Sequence, residues 1–297
     1  MNLAPSYQCN LYCPFCFNKE FWTNDNMLSL IEIEEELWNN NDIHDISIIG
    51  GEPTCWPDDY LRDLLDLCTE RFNGQKPSIF TNLTKPFKYV DKVSELNISY
   101  DPYDRNEQQK VLMNMMLLDS PYIVNMLLTK NLVTQMDPYR LIRFAERIRH
   151  KIHLDVLGNI ATNGMEHMIP NREELTKFLA PIIKENNPYI KFYPIEFLKG
   201  NQKKASDIAT RFQKDVTLTA DKKYMITNAD IVDASYGKPM IKMKYDTYQE
   251  AKDAFFNLCQ LPAKCTGCKY KDNCIGDRKI MEDLEALVNE YNPRVSM

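Results

Sequence analysis

The sequence predicts an α/β fold, an open or partial (β/α)6 barrel with a C-terminal extension. Three observations carry this. From Leu3 to Lys184, short β-branched runs alternate with longer runs at helical spacing, the signature of parallel strands joined by right-handed helical crossovers. Six such units make an open or partial barrel. Near Gly200 the pattern breaks, and residues 201–248 become polar and rich in Lys, Asp and Thr.

The elements follow in order. Leu3 to Gln8 reads as a short strand leading into the first cysteines. Leu28 to Asn39 reads as a helix, with Ile31, Ile33 and Leu37 apolar among acidic residues. Asp45 to Ile49 is a β-branched run that ends at Gly50-Gly51, and Leu61 to Phe72 returns to helical spacing. Ser78 to Thr81 and Leu96 to Tyr100 are the third and fourth strands, Glu107 to Leu118 is a Met- and Leu-rich helix, and Tyr122 to Thr129 is the fifth strand. Asp137 supplies an N-cap and Pro138 a first-turn proline for a helix reaching Arg149. Ile152 to Leu157 is the sixth strand, and Arg172 to Lys184 a further helix. A boundary at 190–205 divides the chain into residues 1–195 and 196–297. In the second part, Val216 to Thr219, Tyr224 to Thr227 and Met240 to Tyr245 read as strands of a small hairpin segment. Turn residues stand at Asn228-Ala-Asp and Tyr236-Gly-Lys-Pro, and a helix runs from Lys279 to Tyr291.

The net charge of -6 disfavours a broad nucleic-acid surface. No apolar run approaches the roughly 18 residues of a membrane span. No basic segment precedes an apolar core at the N-terminus, so no signal peptide is expected and the expected location is cytoplasmic. Nine cysteines are clustered rather than spread: three lie in residues 9–16 and four in 259–274. Clustered thiols without a secretory signal favour metal binding over disulfides. Cys68 stands at helical spacing with Leu64 and Leu65 and is expected in the core, while Cys55 has no assigned role.

Cys9, Cys13 and Cys16 form a C-x3-C-x2-C loop. Three thiolates on one tight loop suit three irons of a four-iron cube, leaving the fourth iron open. They also suit zinc with a fourth ligand from elsewhere, or three buried cysteines. The motif, with aromatic Phe15 before its last cysteine, resembles that of the radical S-adenosylmethionine (SAM) enzymes. The resemblance implies a partial (β/α)6 TIM-type barrel and a [4Fe-4S] cluster whose open iron is chelated by SAM. It also implies reductive cleavage of SAM to a 5′-deoxyadenosyl radical that abstracts a substrate hydrogen, and an electron donor such as flavodoxin or ferredoxin. By the same resemblance the backbone of Phe15 contacts adenine.

Residues 48–54 read Ile-Ile-Gly-Gly-Glu-Pro-Thr, a strand ending in two glycines where backbone can approach a ligand closely. This resembles the family's motif at the end of the second strand, so Gly50, Gly51 and Glu52 inherit contact with the SAM amino group, and Pro53 fixes the loop. Thr81-Asn82 resembles the family's Thr-Asn-Gly, with Leu83 in place of the glycine. Asn-Ile-Ser-Tyr-Asp at 97–101 resembles its Ser-x-Asp pattern, so Ser99 would contact SAM and Asp101 would face the cavity. Polar residues capping strand-end loops are the other reading of Asn82 and Asp101. The resemblance spans residues 3–157 and is most specific at 9–16 and 50–53.

Cys259, Cys265, Cys268 and Cys274 are spaced C-x5-C-x2-C-x5-C, enough for a tetrahedral zinc or a four-iron cluster. The last three match the core of the SPASM or shorter twitch extension of radical SAM enzymes. The full pattern has another cysteine where this chain has Arg278, so the resemblance implies one auxiliary [4Fe-4S] cluster. Family members with such tails modify ribosomal peptides by crosslinking or epimerisation, or act on small molecules or sugars as dehydrogenases and epimerases. Modification of a peptide is the leading expectation, and a non-catalytic zinc protein is the reading from another class. Only eight residues precede Cys9, so no N-terminal peptide-recognition domain is expected.

Overall fold

The structure, a computed structural model, describes residues 1–16, 18–21, 25–157, 164–200, 216–227, 242–258, 268–270, 274 and 277–291. The strands are β1 (Asn2–Ala4), β2 (Ser47–Ile48), β3 (Ser78–Thr81), β4 (Glu95–Ser99), β5 (Tyr122–Leu128), β6 (Lys151–Val156), β7 (Ile190–Lys191), β8 (Thr217–Thr219), β9 (Tyr224–Thr227) and β10 (Lys242–Tyr245). The helices are α1 (Leu30–Asn39), α2 (Asp58–Arg71), α3 (Gln108–Met116), α4 (Lys130–Gln135), α5 (Pro138–Ile148), α6 (Arg172–Glu185), α7 (Tyr193–Leu198), α8 (Tyr248–Leu258) and α9 (Arg278–Tyr291). All six strands expected before Gly200 are present. Strand β1 is shorter than Leu3–Gln8 because Pro5 has no amide hydrogen to continue a ladder, and beyond it Ser6 forms an isolated bridge to Met27. The turn residues at 228–230 and 236–239 lie outside the described residues.

The strands form one sheet in the order β10-β9-β8-β1-β2-β3-β4-β5-β6-β7. Pairings from β1 to β7 are parallel, β8 runs parallel to β1, and β9 and β10 complete an antiparallel meander. No ladder among the described residues joins β7 to β10, so the sheet is open. The expected hairpin is therefore an extension of the main sheet, with Leu3 opposite Leu218. Helix α9 returns to the first part of the chain, where Asp283 takes two hydrogen bonds from Arg172 of α6.

Local signals set the helix ends. Ser29 and Glu32 form a reciprocal capping box at the start of α1, and Asn171 and Glu174 do the same for α6. Asp137 caps α5 with Pro138 in its first turn, and Arg149 ends it at φ 55°.

The two faces of the sheet differ. Leu3, Ile48, Ile79, Ile98, Val124, Ile152 and Leu154 lie on one face, in one core with Leu37, Leu64, Leu141 and Leu179 of the helices. The register aligns other residues on the opposite face: Asn2, Ser47 and Ser78, then Phe80 and Asn97, then Ser99, Asn125 and His153, then Leu127 and Asp155. Parallel strands covered on both faces are apolar on both; this polar second face marks the side on which a cavity opens.

Because Leu218 is fully buried in the shared core, Leu218→Ala is expected to cost about 2–5 kcal/mol. Urea denaturation should show it as a lower midpoint of a single transition. A separate transition for residues beyond 216 would mean that β8 does not fold with the sheet.

Candidate active site

The cysteine loop is held by backbone. Gly51 N donates to Ser6 O at 2.9 Å and Glu52 N to Gln8 O at 2.8 Å. The two glycines allow this approach: a Cβ on Gly51 would lie 2.1 Å from Gln8 O, and Gly50 stands at φ 124° with its absent Cβ 2.6 Å from Ser6 O. The Gly-Gly pair thus fits β2 against the stem of the cysteine loop. Pro53, buried, opens the short 3-10 turn Pro53–Cys55 outside the cavity wall.

Glu52 is 1% exposed. Its Oε1 accepts from Thr81 Oγ1 at 2.6 Å, Thr54 Oγ1 at 2.8 Å and Thr54 N at 3.1 Å, and Oε2 accepts from Asn82 N at 2.6 Å. Both carboxylate oxygens are thus engaged, and Glu52 ties the end of β2 to the end of β3. Burial raises its pKa from the ordinary carboxylate value, and these bonds oppose the rise.

Asn82 extends the tie to the cysteines. Its Oδ1 accepts from Thr84 N and Oγ1 at 3.0 and 2.7 Å, and its Nδ2 donates to Asn10 Oδ1 at 2.9 Å. Leu83, where the family motif has glycine, adopts φ 50° and is fully buried. A left-handed non-glycine residue costs roughly 1–2 kcal/mol, whereas losing a buried leucine costs about 2–5 kcal/mol, so burial outweighs the strain.

On the other side, Asp101 is 1% exposed. Its Oδ1 accepts from Leu127 N at 2.8 Å, and its Oδ2 pairs with Arg105 Nε at 2.6 Å. Burial raises its pKa and the Arg105 charge opposes that. The Arg105 guanidinium carbon stands 5.0 Å from the Phe15 ring centroid and lowers the Cys13 thiol against the larger effect of burial. Sequence reasoning missed Arg105; its signal was the four-residue step from Asp101 that lets Asp and Arg pair across one turn.

Cys9, Cys13 and Cys16 join Leu11, Phe15, Leu157, Met165 and Met168 in a second apolar cluster. Burial pushes the Cys9 thiol up to about 11 and raises Cys13. Free thiols there stay protonated, and a bound cationic centre would take them as thiolates. Three thiols on one loop, walled by apolar side chains, are a donor set that suits an iron–sulfur cluster.

These strand ends enclose a cavity of about 380 Å³. Of the expected site residues, Cys9, Cys13, Phe15, Cys16, Gly50, Gly51, Glu52, Asn82, Ser99 and Asp101 line it. Asp155 also lines it, from the carboxyl end of β6, and no motif had singled it out. Cys268 and Cys274 are half-buried against the main core, away from this wall. Cys259 and Cys265 lie outside the described residues. Cys68 is fully buried in α2, as its spacing suggested.

Residues 3–103 match the family model of the Radical SAM superfamily. The matched stretch holds the cysteine loop, the glycine pair and, but for Asn2, the first four strands. No curated protein matches the chain at a significant level. Among solved structures, hexahistidine-tagged anSMEcpe with bound AdoMet is similar with a TM-score of 0.69 at 14% identity, over 99% of this chain and 93% of that one. Native anSMEcpe with bound AdoMet and Cp18Cys peptide is similar with a TM-score of 0.63 at 15% identity, over 99% and 97%. At that identity the likeness carries the fold, an α/β partial barrel, over nearly the whole chain. No helix among the described residues is long and apolar enough to cross a membrane.

Gly51→Ala must displace the Gln8 backbone, so it is expected to lower both the unfolding midpoint and the iron taken up on anaerobic reconstitution; normal uptake would show that the loop is held by other contacts. Asp155 is exposed to the cavity, and its enclosure there, then the charge of Asp101, push it up to about 6. A raised acidic group stabilises the fold below its unfolded value of about 3.9 and loses that contribution as pH rises through about 6. The stability of Asp155→Asn relative to wild type should therefore grow between pH 4 and 7, read as urea midpoints. A pH-independent difference would contradict the shift.

Proposed function

We propose that this chain is a radical SAM enzyme that modifies a ribosomally made peptide, by crosslinking or epimerisation. The observation that carries the enzymatic part is the arrangement of Cys9, Cys13 and Cys16 on the wall of a cavity formed by the carboxyl ends of β1 to β6. Cys9, Cys13 and Cys16 would hold a [4Fe-4S] cluster. Once bound and reduced, that cluster supplies the electron that cleaves SAM into methionine and a 5′-deoxyadenosyl radical, which takes a hydrogen atom from the substrate.

The chain's own residues do the remaining work. Glu52 and Asn82 fix the cysteine loop and the glycine turn as one piece. The backbone of Phe15, Gly50 and Gly51 and the side chain of Ser99 offer polar contacts for SAM. Arg105 sets a positive charge beside the thiolates and is kept in place by Asp101. Leu11, Leu157, Met165 and Met168 exclude water around the cysteines, which protects a reactive radical from side reactions.

The peptide assignment is supported by the fold shared with anSMEcpe, a protein seen with a bound peptide. The tail belongs to the same reading. Residues 196–297 form an extension in which Cys259, Cys265, Cys268 and Cys274 ligate one auxiliary [4Fe-4S] cluster, with a flavodoxin or ferredoxin as electron donor.

Anaerobic reconstitution should give about eight irons and eight sulfides per chain, the sum of two four-iron cubes. Dithionite and SAM should then release 5′-deoxyadenosine, and Cys13→Ala should abolish that release. Cys274→Ser should leave about four irons. Zinc in place of iron at residues 9–16 would remove the enzyme reading.

A further inference from the structure

The cavity wall carries three carboxylates, and they are not equivalent. Glu52 accepts four hydrogen bonds from Thr54, Thr81 and Asn82. Asp101 has one oxygen on Leu127 N and the other on Arg105. Asp155 is accessible on the wall, and its side chain forms no hydrogen bond or ion pair among the described residues. The guanidinium of the wall is committed: Arg105 pairs with Asp101 and stands over Phe15. Three carboxylates thus face one guanidinium: Asp101 has that cation, Glu52 has hydrogen bonds from neutral donors, and Asp155 has neither.

Position separates Asp155 from the glycine turn. It sits on β6, opposite Leu127 of β5, while Gly50 to Glu52 follow β2. Four strand spacings lie between, about 19 Å along the sheet. The face around Asp155 is polar: Asn125 and His153 share its side of the sheet, and the half-exposed Tyr193 at the start of α7 stands within its field.

We propose that Asp155 is the substrate-binding carboxylate of this cavity and selects substrates presenting a hydrogen-bond-donating nitrogen cation, an ammonium or a guanidinium. The assignment deepens the radical SAM reading and rests on it only for calling the bound cation a substrate. A neutral hydroxyl would satisfy lone pairs of Asp155 but leave its charge unbalanced, whereas a cation supplies both donor and counter-charge. The upward displacement of Asp155 to about 6 agrees with a carboxylate that lacks a cationic partner.

The test uses the full-length reconstituted protein under anaerobic conditions and two probes of equal size, n-butylammonium and n-butanol. Equilibrium dialysis is run with and without SAM. Wild type should bind the ammonium about tenfold tighter than the alcohol, the factor expected of a charge-assisted hydrogen bond. Asp155→Asn should erase that preference and Asp155→Glu should retain it. Equal binding of both probes by wild type, or a preference that survives in Asp155→Asn, overturns the proposal. So does loss of SAM binding in Asp155→Asn, which would assign the carboxylate to the SAM site. Failure of wild type to release 5′-deoxyadenosine would instead count against the radical reading, and the ammonium preference would still be measurable without SAM.

Discussion

The buried tie at Glu52 is the constraint on which the site depends. Residues 6–8 and 50–52 lie backbone to backbone, with Gly51 and Glu52 donating to Ser6 and Gln8. The Glu52 side chain then reaches across to Thr81 and Asn82, and Asn82 returns to Asn10 inside the cysteine loop. Three strand ends are thereby closed into a ring of hydrogen bonds. A loop with three cysteines and few other anchors would be a poor template on its own, because ordering each backbone residue costs about 1–2 kcal/mol. Carrying a carboxylate into the interior is unfavourable, and its four bonds offset that cost while fixing the geometry. A charge-neutral Gln would supply one oxygen and two donors in place of two acceptors, so it cannot repeat the pattern.

The opposite wall follows a related logic with an ion pair. Asp101 is anchored to β5 through Leu127 N and holds Arg105 against Phe15 and the cysteines. A buried pair of this kind contributes little net stability, yet removing either partner strands the other. Its value lies in placement: the positive charge stays beside Cys13 and Phe15. The polar inner face of β4 to β6 extends the same surface away from the cysteines, with Asn125 Nδ2 donating to Asn97 Oδ1 at 3.1 Å and Asn97 Nδ2 to Glu95 Oε1 at 3.0 Å.

Much of this was legible in the sequence. Ser78–Thr81 and Tyr224–Thr227 are strands over the expected residues, and the Asp137-Pro138 start of α5 is as its chemistry dictates. Motif residues at four strand ends converge on one cavity because a parallel sheet puts all its carboxyl ends on one side. The misses have physical causes. Strand β7 has two residues, too few to show a period, and α4 and α7 have six each, too short for an amphipathic stripe. Asp155 and Arg105 belong to no local motif; cavity placement and pairing across one turn gave them roles. The Gly-Gly pair was read as room for a ligand, and the close approach it permits in the fold is to Ser6 and Gln8.

The extension is tied to the site by more than chain connectivity. Strand β8 runs beside β1, the strand that feeds the cysteine loop, and the β9–β10 hairpin places Lys242 and Lys244 with their ammonium groups 4.9 and 4.1 Å from the centroid of Phe21. Phe21 stacks on Tyr7 at 4.7 Å, and Lys242 pairs with Glu20 at 2.9 Å. Tyr7 immediately precedes the stem at Gln8, and Glu20 and Phe21 belong to the turn after Cys16. The loop is thus gripped from both flanks by residues on opposite sides of the sequence boundary at 190–205. Cation–aromatic contacts of about 0.5–2 kcal/mol each are modest singly. Together with the parallel ladder they hold the β9–β10 hairpin on the same sheet that carries the cysteine loop, with Phe21 and Tyr7 as the contact between them.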